Sequence, residues 1–326
     1  MKKTKLLTLL PFAAMMMTSC AGASRNYIIE YDPNKVYNIG ICQLLAHPAL
    51  DAATDGFIDA VETGLGKDKV KFDRQEAAGD TATCATICNS FVSKRVDLIM
   101  ANATPAVQAA ANSTLDIPIL GTSVTEYGVA LGLKKFNGTV GGNISGTSDL
   151  APLDGQADMF TELLPSAKKI GLLYCSAEAN SKYQIDTVEK FLKEKSLETK
   201  RITFSETNEL QSVLTANING LDALYIPTDN KCADNVTVID AVCRPAKLPI
   251  ICGEEGICKG CGIATLSIDY FNLGKKTGEM AVGIIKEGKD ISKMKIEYDE
   301  NPVKKFNKEI ADELGVTVPS TYTEIA

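Results

Sequence analysis

Short apolar runs alternate along this chain with longer stretches whose apolar residues recur every three to four positions. The first kind reads as buried strand and the second as amphipathic helix. "YNIGICQLL" is a predicted strand. "PALDAATDGFIDAVETGLG" is a predicted helix, with Pro48 in its first turn and Gly64 near its end. "VKFDRQEA", "DLIMANA" and "IPILGTS" are further strands. Between them lie the helices "DTATCATICNSFVSK", which Asp80 would cap, and "TPAVQAAANS". Such alternation implies right-handed crossovers and a parallel sheet covered on both faces.

The pattern then restarts. "KKIGLLYC", "ETKRITF", "DALYIPTD" and "LPIICGE" are strands, with helices predicted between them. Ile39-Gly40 matches Ile170-Gly171, and Ile117-Pro118-Ile119 matches Leu248-Pro249-Ile250. The spacing from Ile39 to Pro118 equals that from Ile170 to Pro249. The expected fold class is therefore α/β, with two similar parallel-sheet lobes.

"FNGTVGGNISGTSDLAP" is rich in Gly, Ser and Asn and suits a crossover between the lobes. "GIATLSI" reads as a strand, "YFNLGKKTGEMAVGIIKEG" as a helix, and "PVKKFNKEIADELG" as a final amphipathic helix. The expected division is lobe 1 at 37–143 plus 262–292 and lobe 2 at 144–261 plus 293–326. Several chain crossings would form a hinge, which favours closure around a ligand.

Composition narrows the choice. With 326 residues, two lobes suit the length, and a net charge of −7 argues against nucleic acid as the main partner. The first twenty residues, "MKKTKLLTLLPFAAMMMTSC", have a basic start, an apolar middle and small residues before Cys20. Residues 1–19 read as a signal peptide. "MTSC" resembles a bacterial lipobox, so Cys20 is the expected site of lipidation, with residues 20–36 as a tether outside the fold. Acyl chains such as palmitate would hold the protein on the extracytoplasmic face of the cell membrane.

Ten cysteines less Cys20 leave nine, an odd number that a disulfide framework within one chain cannot pair completely. Cys84 and Cys88 stand one helical turn apart and suit small buried core positions. Cys258 and Cys261 form a C-x-x-C that allows a disulfide. Neither a second C-x-x-C nor a nearby histidine completes a zinc site, so no metal is expected.

Ligands of open parallel sheets bind beyond the carboxyl ends of the strands. In lobe 1 these positions hold Gln43 and His47, then Gly79 and Asp80, then Thr104 and Gln108, then Ser123, Thr125 and Glu126. In lobe 2 they hold Glu178, Asn180 and Ser181, then Asp229 and Asn230, then Glu254. Nearly all can donate or accept a hydrogen bond, and both sets lie on edges that can face each other. His47, the single histidine, is read as a ligand contact at the mouth of such a cleft.

Catalytic readings find little support. "VGGNISG" does not join a strand directly to a long helix, as a dinucleotide fingerprint would. There is no P-loop and no G-x-S-x-G. Glu254 and Glu255 are adjacent and point apart, which makes a poor acid–base pair. Neither an enzyme nor a cofactor is expected.

Seven segments carry a family resemblance: "IGICQLLAHPALDAATDGF", "AAGDTAT", "DLIMANATPAVQAA", "IPILGTSVTE", "GLLYCSAEANSKYQ", "YIPTDN" and "IDYFNLGKKTGEMAV". Together they resemble the extracellular substrate-binding lipoproteins of ABC importers, TrpX-like group, over almost the whole chain from Tyr37. The resemblance implies a type I periplasmic-binding fold with a multi-crossing hinge. It also implies an amino-acid ligand, an aromatic one in particular, handed to a membrane permease driven by an ATPase. The family's polar positions match at Gln43, His47, Asp80, Thr104, Thr125, Glu178, Asn180, Ser181, Asp229 and Asn230. "VTEY" at Val124 to Tyr127 departs from the usual V-T-D-P. Asp229 or Glu178 would meet the ligand ammonium. Helix N-termini with Thr104 or Ser181 would meet its carboxylate. Tyr127 and Tyr270 would flank its ring. A surface adhesin or sensing lipoprotein on the same fold is the alternative.

Overall fold

The computed structural model describes residues 27–325, so Cys20 lies outside the described residues. The first lobe begins with β1 (Tyr37–Gln43), α1 (Pro48–Leu65), β2 (Val70–Glu76), α2 (Thr81–Lys94) and β3 (Leu98–Asn102). It continues with α3 (Thr104–Ser113), β4 (Ile119–Thr122), α4 (Tyr127–Ala130) and β5 (Ile144–Ser148). The second lobe holds α5 (Leu153–Leu163), β6 (Lys169–Cys175), α6 (Ala179–Glu194), β7 (Glu198–Phe204), α7 (Leu210–Asn217) and β8 (Ala223–Ile226). Then come α8 (Asn230–Ala233), α9 (Val236–Cys243), β9 (Ile250–Cys252), α10 (Glu255–Cys261) and β10 (Ala264–Ser267). The chain ends with α11 (Tyr270–Lys286), β11 (Glu297–Tyr298), β12 (Val303–Phe306), α12 (Lys308–Glu313) and β13 (Thr323–Glu324).

The two sheets repeat one topology. The first runs β11-β5-β4-β3-β1-β2 and the second β13-β12-β10-β9-β8-β6-β7, so β5-β4-β3-β1-β2 corresponds to β10-β9-β8-β6-β7. All these pairings are parallel except β10 with β12. Gly40 in β1 and Gly171 in β6 hold equivalent places. A Cβ on Gly40 would lie 2.6 Å from the Phe91 ring, and one on Gly171 would lie 2.6 Å from Leu221. A missing side chain on the strand thus lets a large apolar group from the covering layer settle onto the sheet.

Sheet pairing moves the expected lobe boundaries. Ile144–Ser148 was expected in lobe 2, but it is β5, paired with β4 in the first sheet. Its small residues reflect crowding: a Cβ on Gly146 would lie 2.1 Å from the Gly121 carbonyl. "GIATLSI" was expected to return to lobe 1, but β10 is the fifth strand of the repeat in lobe 2. The crossing follows it, and α11 packs on α1. The final predicted helix is also shorter than expected. Val303–Phe306 forms β12, because antiparallel pairing with β10 satisfies its backbone and overrides helical spacing. The chain therefore crosses between the sheets after β5, after β10 and after β11. Part of the expected tether is not outside the fold: Tyr27 and Ile29 pack against the lobe 1 core, and Lys35 pairs with Asp97.

All nine cysteines among the described residues are free and buried, so Cys258 and Cys261 are thiols one helical turn apart in α10. No helix among the described residues is long and apolar enough to cross a membrane.

Candidate functional site

The carboxyl ends of both sheets meet at a narrow cavity of about 20 Å³. Lobe 1 contributes His47, Leu50, Ser123 and Thr125. Lobe 2 contributes Asn180, Thr228, Asp229, Asn230, Ala233 and Glu254. The crossings contribute Asp149, just past β5, and Tyr270, the first residue of α11. The lining holds three carboxyl groups and no Lys or Arg.

These acids differ in how far they are already satisfied. Asp229 Oδ2 accepts from the Cys175 amide at 2.7 Å, and its Oδ1 accepts from the Cys232 amide at 2.9 Å. Glu254 caps α10, accepting from the Gly256 amide at 2.6 Å and from the Ile257 amide. Burial pushes its carboxyl up to about 7. Asp149 Oδ2 accepts from the Tyr270 hydroxyl at 3.1 Å, while Oδ1 has no partner. Burial raises Asp149 to about 6, opposed by the polar side chains of Thr125 and Tyr270 beside it. Burial also lowers His47 to about 4, against the pull of Asp51, so its imidazole is neutral at ordinary pH.

Among the described residues, five buried side-chain polar atoms have no hydrogen-bond partner. Three belong to this cavity: Ser123 Oγ, Asp149 Oδ1 and Asn180 Oδ1. They come from lobe 1, a crossing and lobe 2. Such atoms are costly to leave unmatched. Ser123 also has a left-handed φ of 53°, a strain that surrounding structure must hold.

Eight of the expected residues line the cavity: His47, Ser123, Thr125, Asn180, Asp229, Asn230, Glu254 and Tyr270. Six do not. Gln43 ties β1 to α1, donating to Asp51 Oδ1 at 2.7 Å and accepting from the Thr54 hydroxyl at 2.7 Å. Glu126 caps α4 through the Val129 amide. Thr104 is buried at the start of α3. Asp80 caps α2 through the Ala82 and Thr83 amides and, with Glu178, lines a second groove between the lobes that shares Asn230 with the cavity. Glu178 lies behind the cavity wall, raised to about 7 by burial and by the Asp229 carboxylate, and Ser181 donates to it at 3.4 Å. Tyr127, expected to flank a ring, is buried in lobe 1 with its hydroxyl on the Thr147 carbonyl at 3.0 Å. Nearby backbone or polar groups claim the side chains of Gln43, Asp80, Glu126, Tyr127, Glu178 and Ser181.

Asp149, Leu50, Thr228 and Ala233 were missed. The one available signal for Asp149 was an acid inside a stretch read as an inter-lobe crossing.

A model of the ABC transporter substrate binding protein family matches residues 38–326. This chain belongs to that family. It is 38% identical over 299 residues to a tyrosine-binding protein of Clostridioides difficile, covering 89% of this chain and 86% of the relative. Among solved structures, the ABC domain in complex with L-Trp from Streptococcus pneumoniae is 31% identical, with a TM-score of 0.83, covering 87% of this chain and 96% of that one. A ligand-free, open substrate-binding protein with adhesive properties from Clostridium difficile is 36% identical, with a TM-score of 0.70, covering 89% and 99%. This substrate-binding protein is thus closer in shape to the tryptophan complex, though closer in sequence to the open structure. The fold is the type I periplasmic-binding fold.

Proposed function

We propose that this protein captures an amino acid, an aromatic one in the first instance, between its lobes and delivers it to an ABC permease and its ATPase. The observation that carries the reading is the set of unpartnered acceptors, Asp149 Oδ1 and Asn180 Oδ1, which come from different parts of the chain. An ammonium has three donors and suits both. The ligand carboxylate would sit toward the N-terminus of α1, between His47 and the Ser123 hydroxyl. Leu50, Ala233 and Tyr270 would give the ring its apolar wall. The tyrosine-binding and tryptophan-bound relatives support this ligand class.

A thermal-shift screen of the standard amino acids tests the reading. Saturating tyrosine or tryptophan at about 100 times its Kd is expected to add about 2.7 kcal/mol to stability. Scattering should show a smaller radius of gyration in the complex, as three crossings let the lobes close. If no amino acid raises the melting temperature, the reading is wrong.

The protein would act on the extracytoplasmic face, held by lipid at Cys20. A Cys20→Ala protein is expected to leave the membrane fraction, and mass spectrometry of the unaltered protein should find diacylglycerol on the N-terminal peptide. An unmodified Cys20 peptide would refute the anchor. A second reading, adhesion, is favoured by the adhesive relative. Surface binding that persists in a variant unable to take up amino acids would support it.

A further inference from the structure

We infer that Glu178 is a positioning residue that sets ligand specificity: it holds the Asn180 amide nitrogen away from the cavity, so that an acceptor oxygen alone faces the ligand. The inference rests on the amino-acid reading above.

Glu178 is buried in the loop before α6 and does not line the cavity. Its Oε2 accepts from Asn180 Nδ2 at 3.1 Å, from Asn230 Nδ2 at 2.8 Å and from the Asn230 amide at 3.0 Å. Its Oε1 accepts from the Lys231 amide at 3.0 Å. Asn180 Nδ2 also reaches the Ser181 hydroxyl at 3.3 Å and the Thr228 carbonyl at 2.9 Å. The Asn180 nitrogen thus faces acceptors behind the wall, and turning the amide over would set its oxygen against the same oxygens. That leaves Asn180 Oδ1 toward the cavity without a partner. The Asn230 amide nitrogen is held by the same carboxylate, so one glutamate commits the nitrogens of two lining residues.

A wall with its acceptor fixed outward favours groups that only donate. An ammonium has three N–H donors and no lone pair. A hydroxyl in the same place has one donor for two acceptors, and once it donates to Asp149 a lone pair faces the Asn180 oxygen. The wall therefore separates α-amino acids from α-hydroxy acids of the same shape, by repulsion as well as attraction.

Calorimetric titration with L-tyrosine and with its α-hydroxy analogue, 3-(4-hydroxyphenyl)lactate, measures this as a ratio of affinities. Glu178→Met keeps the bulk but removes the carboxylate acceptor, so that only the Thr228 carbonyl and the Ser181 hydroxyl oppose a turn of the amide. The preference for tyrosine is expected to fall by about tenfold or more relative to the unaltered protein. Glu178→Gln keeps a carbonyl oxygen for the two asparagine nitrogens while its own amide nitrogen faces the Lys231 N–H, so both affinities should fall together and the ratio should stay within about threefold of the unaltered protein. A purely structural role would weaken both ligands together and leave the ratio in Glu178→Met unchanged, which overturns the inference. A ratio that collapses in Glu178→Gln also overturns it, since charge would then be the cause, and this arm decides the matter if Glu178→Met does not fold. Failure of the unaltered protein to bind either compound would sink the amino-acid reading and the inference with it.

Discussion

Replacing Asp149 by asparagine is expected to weaken tyrosine or tryptophan binding by roughly 30-fold to several thousand-fold, with little change in the melting temperature of the free protein. The size follows from truncating one partner of a buried, charge-assisted pair, which typically costs about 2–5 kcal/mol. The fold should tolerate the change. An asparagine carbonyl can still accept from the Tyr270 hydroxyl, and the amide nitrogen would take the place of Oδ1, which has no protein partner to offend. Asp229 offers no such clean test, although the sequence pointed to it or Glu178 as the ammonium partner. Both of its oxygens accept from backbone amides, so an asparagine there would face an N–H with an N–H. Binding should also depend on pH. Burial raises Asp149 to about 6 and Glu254 to about 7. Each therefore keeps its proton to a higher pH in the free folded protein than in the unfolded chain. Stability from this source is fully present below the ordinary carboxylate range and is lost as pH rises through about 6 to 7. A bound ammonium favours the ionised carboxylate instead. Affinity is expected to rise between about pH 5 and pH 8, with protons released on binding, and Asp149→Asn should flatten the part of the profile centred near pH 6. Titration calorimetry in buffers of differing ionisation enthalpy reads both effects. An affinity in Asp149→Asn within about threefold of the unaltered protein would move the ammonium elsewhere.

The second large effect is expected at Gly274. Helices α1 and α11 pack at close range, and a Cβ on Gly274 would lie 1.9 Å from the Ala53 carbonyl oxygen. The same contact excludes a side chain at Gly56, whose Cβ would lie 2.0 Å from the Phe271 carbonyl. Backbone cannot yield as a side-chain tip can, so Gly274→Ala must push the helices apart. The expected cost is about 3 kcal/mol, at the upper end of ordinary overpacking, or roughly 6 °C or more in melting temperature. Gly283→Ala in the same helix is the control. Its nearest neighbour is the Lys289 side chain, at 2.8 Å, which can swing away. That variant should be neutral or stabilised by up to about 1 kcal/mol, the usual gain of alanine over glycine within a helix. Urea denaturation of both variants distinguishes close packing from propensity, and equal stability would refute the packing account. Function should follow, because His47 and Leu50 stand at the start of α1 and Tyr270 at the start of α11. Separating these helices would draw the Tyr270 hydroxyl away from Asp149.

Much of the molecule was legible in its residue order. The repeat of strand and helix, the equal spacing of Ile39–Pro118 and Ile170–Pro249, and the polar residues after each strand together implied two parallel-sheet lobes and a cleft between them. These features are readable because burial on both faces leaves continuous apolar runs, and because the strand ends of a parallel sheet all open on one edge. Tertiary structure alone decided the rest. Apolar patterning says that a strand is buried but not which strand it pairs with, so β5, β10 and β12 found sheets that their composition did not name. Polarity says that a side chain needs a partner but not where that partner lies. Gln43, Asp80 and Glu126 spend theirs on nearby helices, and Glu178 on the backs of Asn180 and Asn230. Asp149 emerged last because a crossing has no periodicity to mark its buried side. Only the meeting of the two lobes takes its carboxylate out of water with one oxygen still unmatched.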